Sequence, residues 1–66
     1  MAAYRCFHFS FDDQIIGMDV TDQPDDDAAS VWGASLLERD TGQQAVEVWQ
    51  LSRRIVRLDR QRHRVE

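Results

Sequence analysis

The sequence predicts an α+β fold, a small antiparallel β-sheet with one helix packed on one face, in the order β-β-α-β-β. Three observations carry that expectation. Residues 4–11 alternate in character with period two. Residues 26–40 place small and apolar side chains at helical spacing behind a proline and a run of aspartates. Two further short segments, 45–51 and 54–58, are rich in β-branched residues.

The first strand is read over residues 4–11, Tyr-Arg-Cys-Phe-His-Phe-Ser-Phe. Alternation puts Phe7, Phe9 and Phe11 on one face with Arg5, and Tyr4, Cys6, His8 and Ser10 on the other. Asp12-Asp13-Gln14 reads as a tight turn, because Asp tolerates turn geometry. Residues 15–21, Ile-Ile-Gly-Met-Asp-Val-Thr, then form the second strand of an antiparallel hairpin. Pro24 ends that strand, having no N–H to give a ladder.

Asp25 or Asp26 caps the helix expected over 26–40, where negative charge suits the exposed N–H groups. Ala29, Trp32, Gly33 and Leu36 follow i, i+3, i+4, i+7 spacing, with Ala28 and Leu37 flanking them. Ala29 and Gly33 let the helix lie close to the sheet, and Gly42 is a natural stop. The expected packing sets Trp32 and Leu36 against the Phe7/Phe9 face. The third and fourth strands, 45–51 and 54–58, are joined by a turn within 50–53 that lacks an Asn-Gly or Asp-Gly signature.

Length limits what such a fold can be. With 66 residues there is room for one domain, 1–66, with its ordered part expected at about 4–58 and a frayed basic tail at 59–66. A domain this small buries only about 60% of its unfolded surface, and its core rarely supplies more than roughly 3–5 kcal/mol. Cys6 is the sole cysteine, so no disulfide forms within the chain. One cysteine with two distant histidines, His8 and His63, does not make a zinc site. Self-association is the stabiliser that remains. No run of about 18–20 apolar residues occurs, and the first residues lack the order of a signal peptide. The expectation is therefore a cytoplasmic chain without a membrane span, where a free thiol is stable.

Charge is divided unevenly. Residues 1–52 carry a net −8 and residues 53–66 a net +4, with no lysine anywhere. The acidic body argues against a general nucleic-acid binder. The six arginines Arg53, Arg54, Arg57, Arg60, Arg62 and Arg64 nevertheless form a candidate anion contact. Asp22, Asp25, Asp26 and Asp27 lack the alternating ligands and central glycine of an EF-hand, so capping and solubility explain them better than a metal does. Cys6 and His8 share a strand face, a faint hint of nucleophilic chemistry. A packed cysteine beside a half-exposed histidine is the plainer reading, and the chain is read as no enzyme. Three glycines cannot build a phosphate loop. Trp32 and Trp49 could stack a base or ligand, but packing suits them better. No cofactor and no small-molecule substrate are implied.

One helix covers one face of a sheet. The face expected to stay bare carries Tyr4, Cys6, His8 and Trp49, with Val56 or Ile55 beside them. These are the candidate interface residues. The function expected is a non-catalytic interaction module, acting as a homodimer or as a subunit of a larger assembly. The alternative is a small nucleic-acid-associated or antitoxin-like regulator using the arginine-rich C-terminal segment.

Three segments also carry a resemblance: Tyr-Arg-Cys-Phe-His-Phe at 4–9; Pro-Asp-Asp-Asp-Ala-Ala at 24–29 with Leu36-Leu37; and Val-Glu-Val-Trp at 46–49 followed by Arg-Arg-Ile-Val-Arg-Leu at 53–58. Together they resemble a family of short, uncharacterised bacterial proteins that form a domain of unknown function. The likeness covers most of residues 4–58 and implies the fold without implying an activity. Members of that family carry Ala at the position of Gly33 and Gly at the position of Leu51. A more distant likeness, of architecture alone, is to antitoxin-type domains that pair a small sheet with one helix.

Overall fold

The computed structural model describes residues 1–60. Its elements are β1 (Ala2–Phe9), β2 (Ile15–Gln23), α1 (Asp26–Arg39), β3 (Ala45–Gln50) and β4 (Arg53–Asp59). The four strands make one sheet in the order β2-β1-β3-β4, with every neighbouring pair antiparallel. The order β-β-α-β-β and the α+β class are as the sequence predicts. Because β2 and β3 both run antiparallel to β1, they run parallel to each other, and α1 crosses over β1 to join them.

Local chemistry explains the element ends. β1 stops at Phe9 because the chain turns at Ser10, whose N–H donates to Gln14 O at 2.8 Å while Asp13 N–H donates to Ser10 O at 3.0 Å. The hairpin loop is therefore wider than the three residues expected. Asp13 has φ 68°, a conformation Asp accepts more readily than most residues. Asp25 is the N-cap, its carboxylate accepting from Ala28 N–H at 2.8 Å. At the other end Asp40 is already extended, and its carboxylate accepts from Gly42 N–H at 2.9 Å. Gly42 has no positive φ, so an Asp turn ends α1 in place of the expected glycine stop. The β3–β4 turn is Leu51-Ser52, with Leu51 at φ 55°. A glycine would accept that conformation at no steric cost.

Residues 59 and 60, expected to fray, are held. Asp59 closes the β4 ladder opposite Ala45. Arg60 N–H donates to Gln44 O at 2.8 Å. Its guanidinium caps the end of α1, donating to Leu37 O, to Asp40 O at 2.8 Å and to Gln43 O at 2.9 Å. The rest of the expected tail, including Arg62 and Arg64, lies outside the described residues.

The helix covers the face opposite to the one expected. The buried core is Tyr4, Cys6, Ala29, Leu37, Val46 and Val48, with Ala2, Trp32, Leu36, Ile55, Val56 and Leu58 packed around it. Trp32 and Leu36 do pack against the sheet, but on its Tyr4/Cys6 side. Cross-strand register gives the reason. Cys6 and His8 lie opposite Val48 and Val46, whereas Arg5 and Phe7 lie opposite Trp49 and Glu47, and Glu47 lies opposite Arg57. A helix on the phenylalanine face would have had to bury Arg5, Glu47 and Arg57. The helix approaches the valine face at Gly33, where an added Cβ would sit 2.5 Å from Val48 Cγ2.

Candidate functional site

All four strands build the face left without a helix. β1 supplies Arg5, Phe7 and Phe9, β2 supplies Met18 opposite Phe7 and Val20 opposite Arg5, and β3 supplies Glu47 and Trp49. β4 adds Arg54 and Arg57. A register shift between His8 and Phe9 pairs Phe9 with Ile15 and leaves Ile16 as the extra residue of a bulge.

A polar cluster closes one half of this face. Arg57 donates to Glu47 Oε2 at 2.7 Å and Trp49 Nε1–H donates to Glu47 Oε1 at 3.0 Å, with Arg54 at 3.4 Å. Burial pushes the Glu47 carboxyl up, but the hydrogen bonds from Trp49 and Arg57 and the charges of Arg57 and Arg54 outweigh it. The net result holds Glu47 below the usual carboxylate range. The Arg57 guanidinium also stacks 4.9 Å from the centre of the Phe9 ring and reaches Asp13 at 3.3 Å. The other half is bare: Ile15, Ile16, Met18 and Val20 are 60, 57, 49 and 57% exposed. All four belong to β2, which stands at the sheet edge.

The four residues expected to share a bare face are separated. Tyr4 and Cys6 are buried beneath α1, and Val56 and Ile55 pack around the same core. The Tyr4 hydroxyl donates to Asp26 Oδ1 at 2.8 Å. His8 lies on the helix side beyond the end of α1, its Nδ1 2.6 Å from Gln43 Oε1 and its Nε2 2.8 Å from Asp19 Oδ2. The buried Gln43 amide N–H donates to Leu36 O at 2.9 Å, so its oxygen is the group that accepts from Nδ1. Only Trp49 lies on the open face. The residues missed were Ile15, Ile16, Met18 and Val20. Their signal was the pairing of Met18 with Phe7, which follows once the hairpin register is known.

Cys6 and His8 do not pair with each other. Burial, with the Asp19 charge adding to it, pushes the Cys6 thiol up to about 12. Both His8 ring nitrogens face Gln43 and Asp19 rather than the sulfur. The described arginines of the expected anion contact are engaged within the chain. Arg53 forms a two-pronged pair with Asp26 at 3.0 and 3.2 Å, Arg54 and Arg57 hold Glu47, and Arg60 caps α1. Asp25 and Asp26 are likewise committed to the cap and to Tyr4 and Arg53. Among the described residues no three His, Cys, Asp or Glu side chains are placed to hold a metal ion. No helix among them is long and apolar enough to cross a membrane.

The fold and this surface together define a small α+β domain with an open antiparallel sheet. No family model, curated protein or solved structure matches the chain.

Proposed function

We propose that the chain is a non-catalytic interaction module, and that its working surface is the open sheet face with edge strand β2. The observation that carries this reading is the exposed strip Ile15, Ile16, Met18 and Val20, with Phe7 beside Met18, on a face that no element of the described chain covers. Contiguous apolar surface of this kind marks protein contacts in small soluble domains. A cytoplasmic setting, in which the buried Cys6 stays reduced, belongs to the same proposal. The nucleic-acid alternative gains nothing from the geometry, because Arg53, Arg57 and Arg60 already satisfy groups inside the chain.

Sedimentation of the purified chain over a wide concentration range, with affinity capture by the immobilised chain, tests the proposal. The expected result is a protein partner, either itself or another chain, lost on Val20→Lys while circular dichroism stays native. A low-salt gel shift of a duplex that weakens steeply with salt, and no protein partner, would overturn it.

A further inference from the structure

We infer that the occupant of this surface is a second copy of the chain, added along the outer edge of β2 as an antiparallel strand about a two-fold axis at Met18. The inference rests on the interaction-module reading and specifies its partner and register. β2 is nine residues long, and its outer edge pairs with no strand among the described residues. Soluble proteins ordinarily guard such an edge with charged side chains, Pro, a bulge or a shielding element. The opposite edge is guarded in that way, since β4 carries Arg53, Arg54 and Arg57. β2 has no basic residue and no proline, its bulge lies near one end at Ile16, and apart from Asp19 and Asp22 its exposed side chains are apolar.

Sequence symmetry selects the register. Two antiparallel copies can oppose only residues on the same face, so the pairing must centre on a residue. Centred on Met18, Met18 meets itself and Val20 meets Ile16 of the other copy. Asp19 then meets Gly17, which offers no side chain to clash with it, and Asp22 meets Gln14 just beyond the strand. Centred on Asp19, the aspartates would oppose each other. Centred on Val20, Asp22 would oppose Met18. As far as the bulge at Ile16, the Met18 register pairs apolar with apolar and keeps every charge apart from its like.

Area points to ladder pairing as well. The four apolar side chains expose on the order of a few hundred Å², well short of the roughly 800 Å² per partner of a standard interface. A strand ladder adds the backbone groups that this contact lacks, as in other β-augmented complexes. The acidic β2 edge of one copy could instead meet the basic β4 edge of the next. That contact would not close on itself, and the arginines it needs are bound to Asp26, Glu47 and Asp13.

The test is a cysteine scan of the full chain under mild oxidation, with sedimentation of the unmodified chain beside it. The native Cys6 is fully buried and gives little background. The unmodified chain is expected at twice its 7.7 kDa mass. Met18→Cys is expected to cross-link to itself within minutes. Val20→Cys alone is expected to stay uncoupled, but to couple with Ile16→Cys when the two variants are mixed. All three positions are solvent-exposed, and circular dichroism confirms that each variant folds. A dimer in which Met18→Cys fails to couple overturns the inference while leaving the module reading intact. A monomer at every concentration that captures a different protein does the same. Masses growing beyond two copies would point to the β2–β4 contact and equally overturn it.

Discussion

Gly33→Ala tests the closest approach in the core. The added Cβ would lie 2.5 Å from Val48 Cγ2 and 3.9 Å from Val46 Cγ2. Relief needs about 1 Å of movement, since C–C contacts settle near 3.5–4.0 Å. Val48 cannot easily yield, being fully buried, stiff at χ1 and held in register between Cys6 and Val56. Overpacking of this kind costs typically 1–3 kcal/mol. Replacing glycine by alanine within a helix returns about 1 kcal/mol. The expected net effect is a loss of about 1 kcal/mol, which lowers the thermal midpoint by roughly 4–8 °C in a domain of this size. Urea unfolding followed by tryptophan fluorescence measures it, because Trp32 lies on the helix and Trp49 on the sheet. In a Val48→Ala background the clash is gone, and the same substitution is expected to stabilise. A Gly33→Ala chain more stable than the parent, with no coupling to Val48, would refute the packing argument.

Other consequences can be measured on the same chain. Leu51→Gly is expected to raise stability by about 0.5–1 kcal/mol, because relief of a positive φ outweighs the added unfolded-state freedom; Leu51 is 81% exposed and loses no packing. A lower urea midpoint would contradict this. Acidification is expected to destabilise the fold. Hydrogen bonds from Arg53 and Tyr4 hold Asp26 below its usual range, and Glu47 is also held low despite its burial. Carboxyls lowered by folding contribute above their unfolded pKa and lose that contribution as pH falls through the folded value. Urea midpoints should therefore fall between about pH 5 and pH 2, less so in Glu47→Gln; an unchanged profile in that variant would argue against the Glu47 cluster. Cys6, buried and with its thiol pushed to about 12, is expected to resist alkylation at neutral pH until the chain unfolds. Rapid labelling of the native chain would contradict that.

The element order was legible because each signal is local. Period-two alternation, the proline and aspartates before α1, and the helical spacing of Ala29, Trp32 and Gly33 each act within a few residues. Element ends were less legible where side chains decide them. The Asp40 turn replaces a glycine stop, and Arg60 reaches back to cap α1 from well beyond the helix. A long-range cap of this kind leaves no mark in the helical segment itself.

The choice of covered face was not legible in the first strand, and the reason is physical. Both of its faces are hydrophobic enough to be buried: Tyr4 and Cys6 on one side, Phe7 and Phe9 on the other. The decision lies in β3 and β4, where alternation places Val46, Val48, Val56 and Leu58 on one face and Glu47, Trp49 and Arg57 on the other. A helix can cover valines at no electrostatic cost, whereas covering Glu47 and Arg57 would strip water from both charges. The phenylalanines are therefore left on the outside, where Arg57 stacks on Phe9 and the polar cluster shields the β3–β4 half of the sheet. β2 receives no such shield. Of its two acids, Asp19 faces the helix side, where it meets His8, and Asp22 stands beyond Val20 toward the end of the strand. The same charge pattern that sends the helix to the valine face thus leaves the β2 edge as the apolar surface available to another chain.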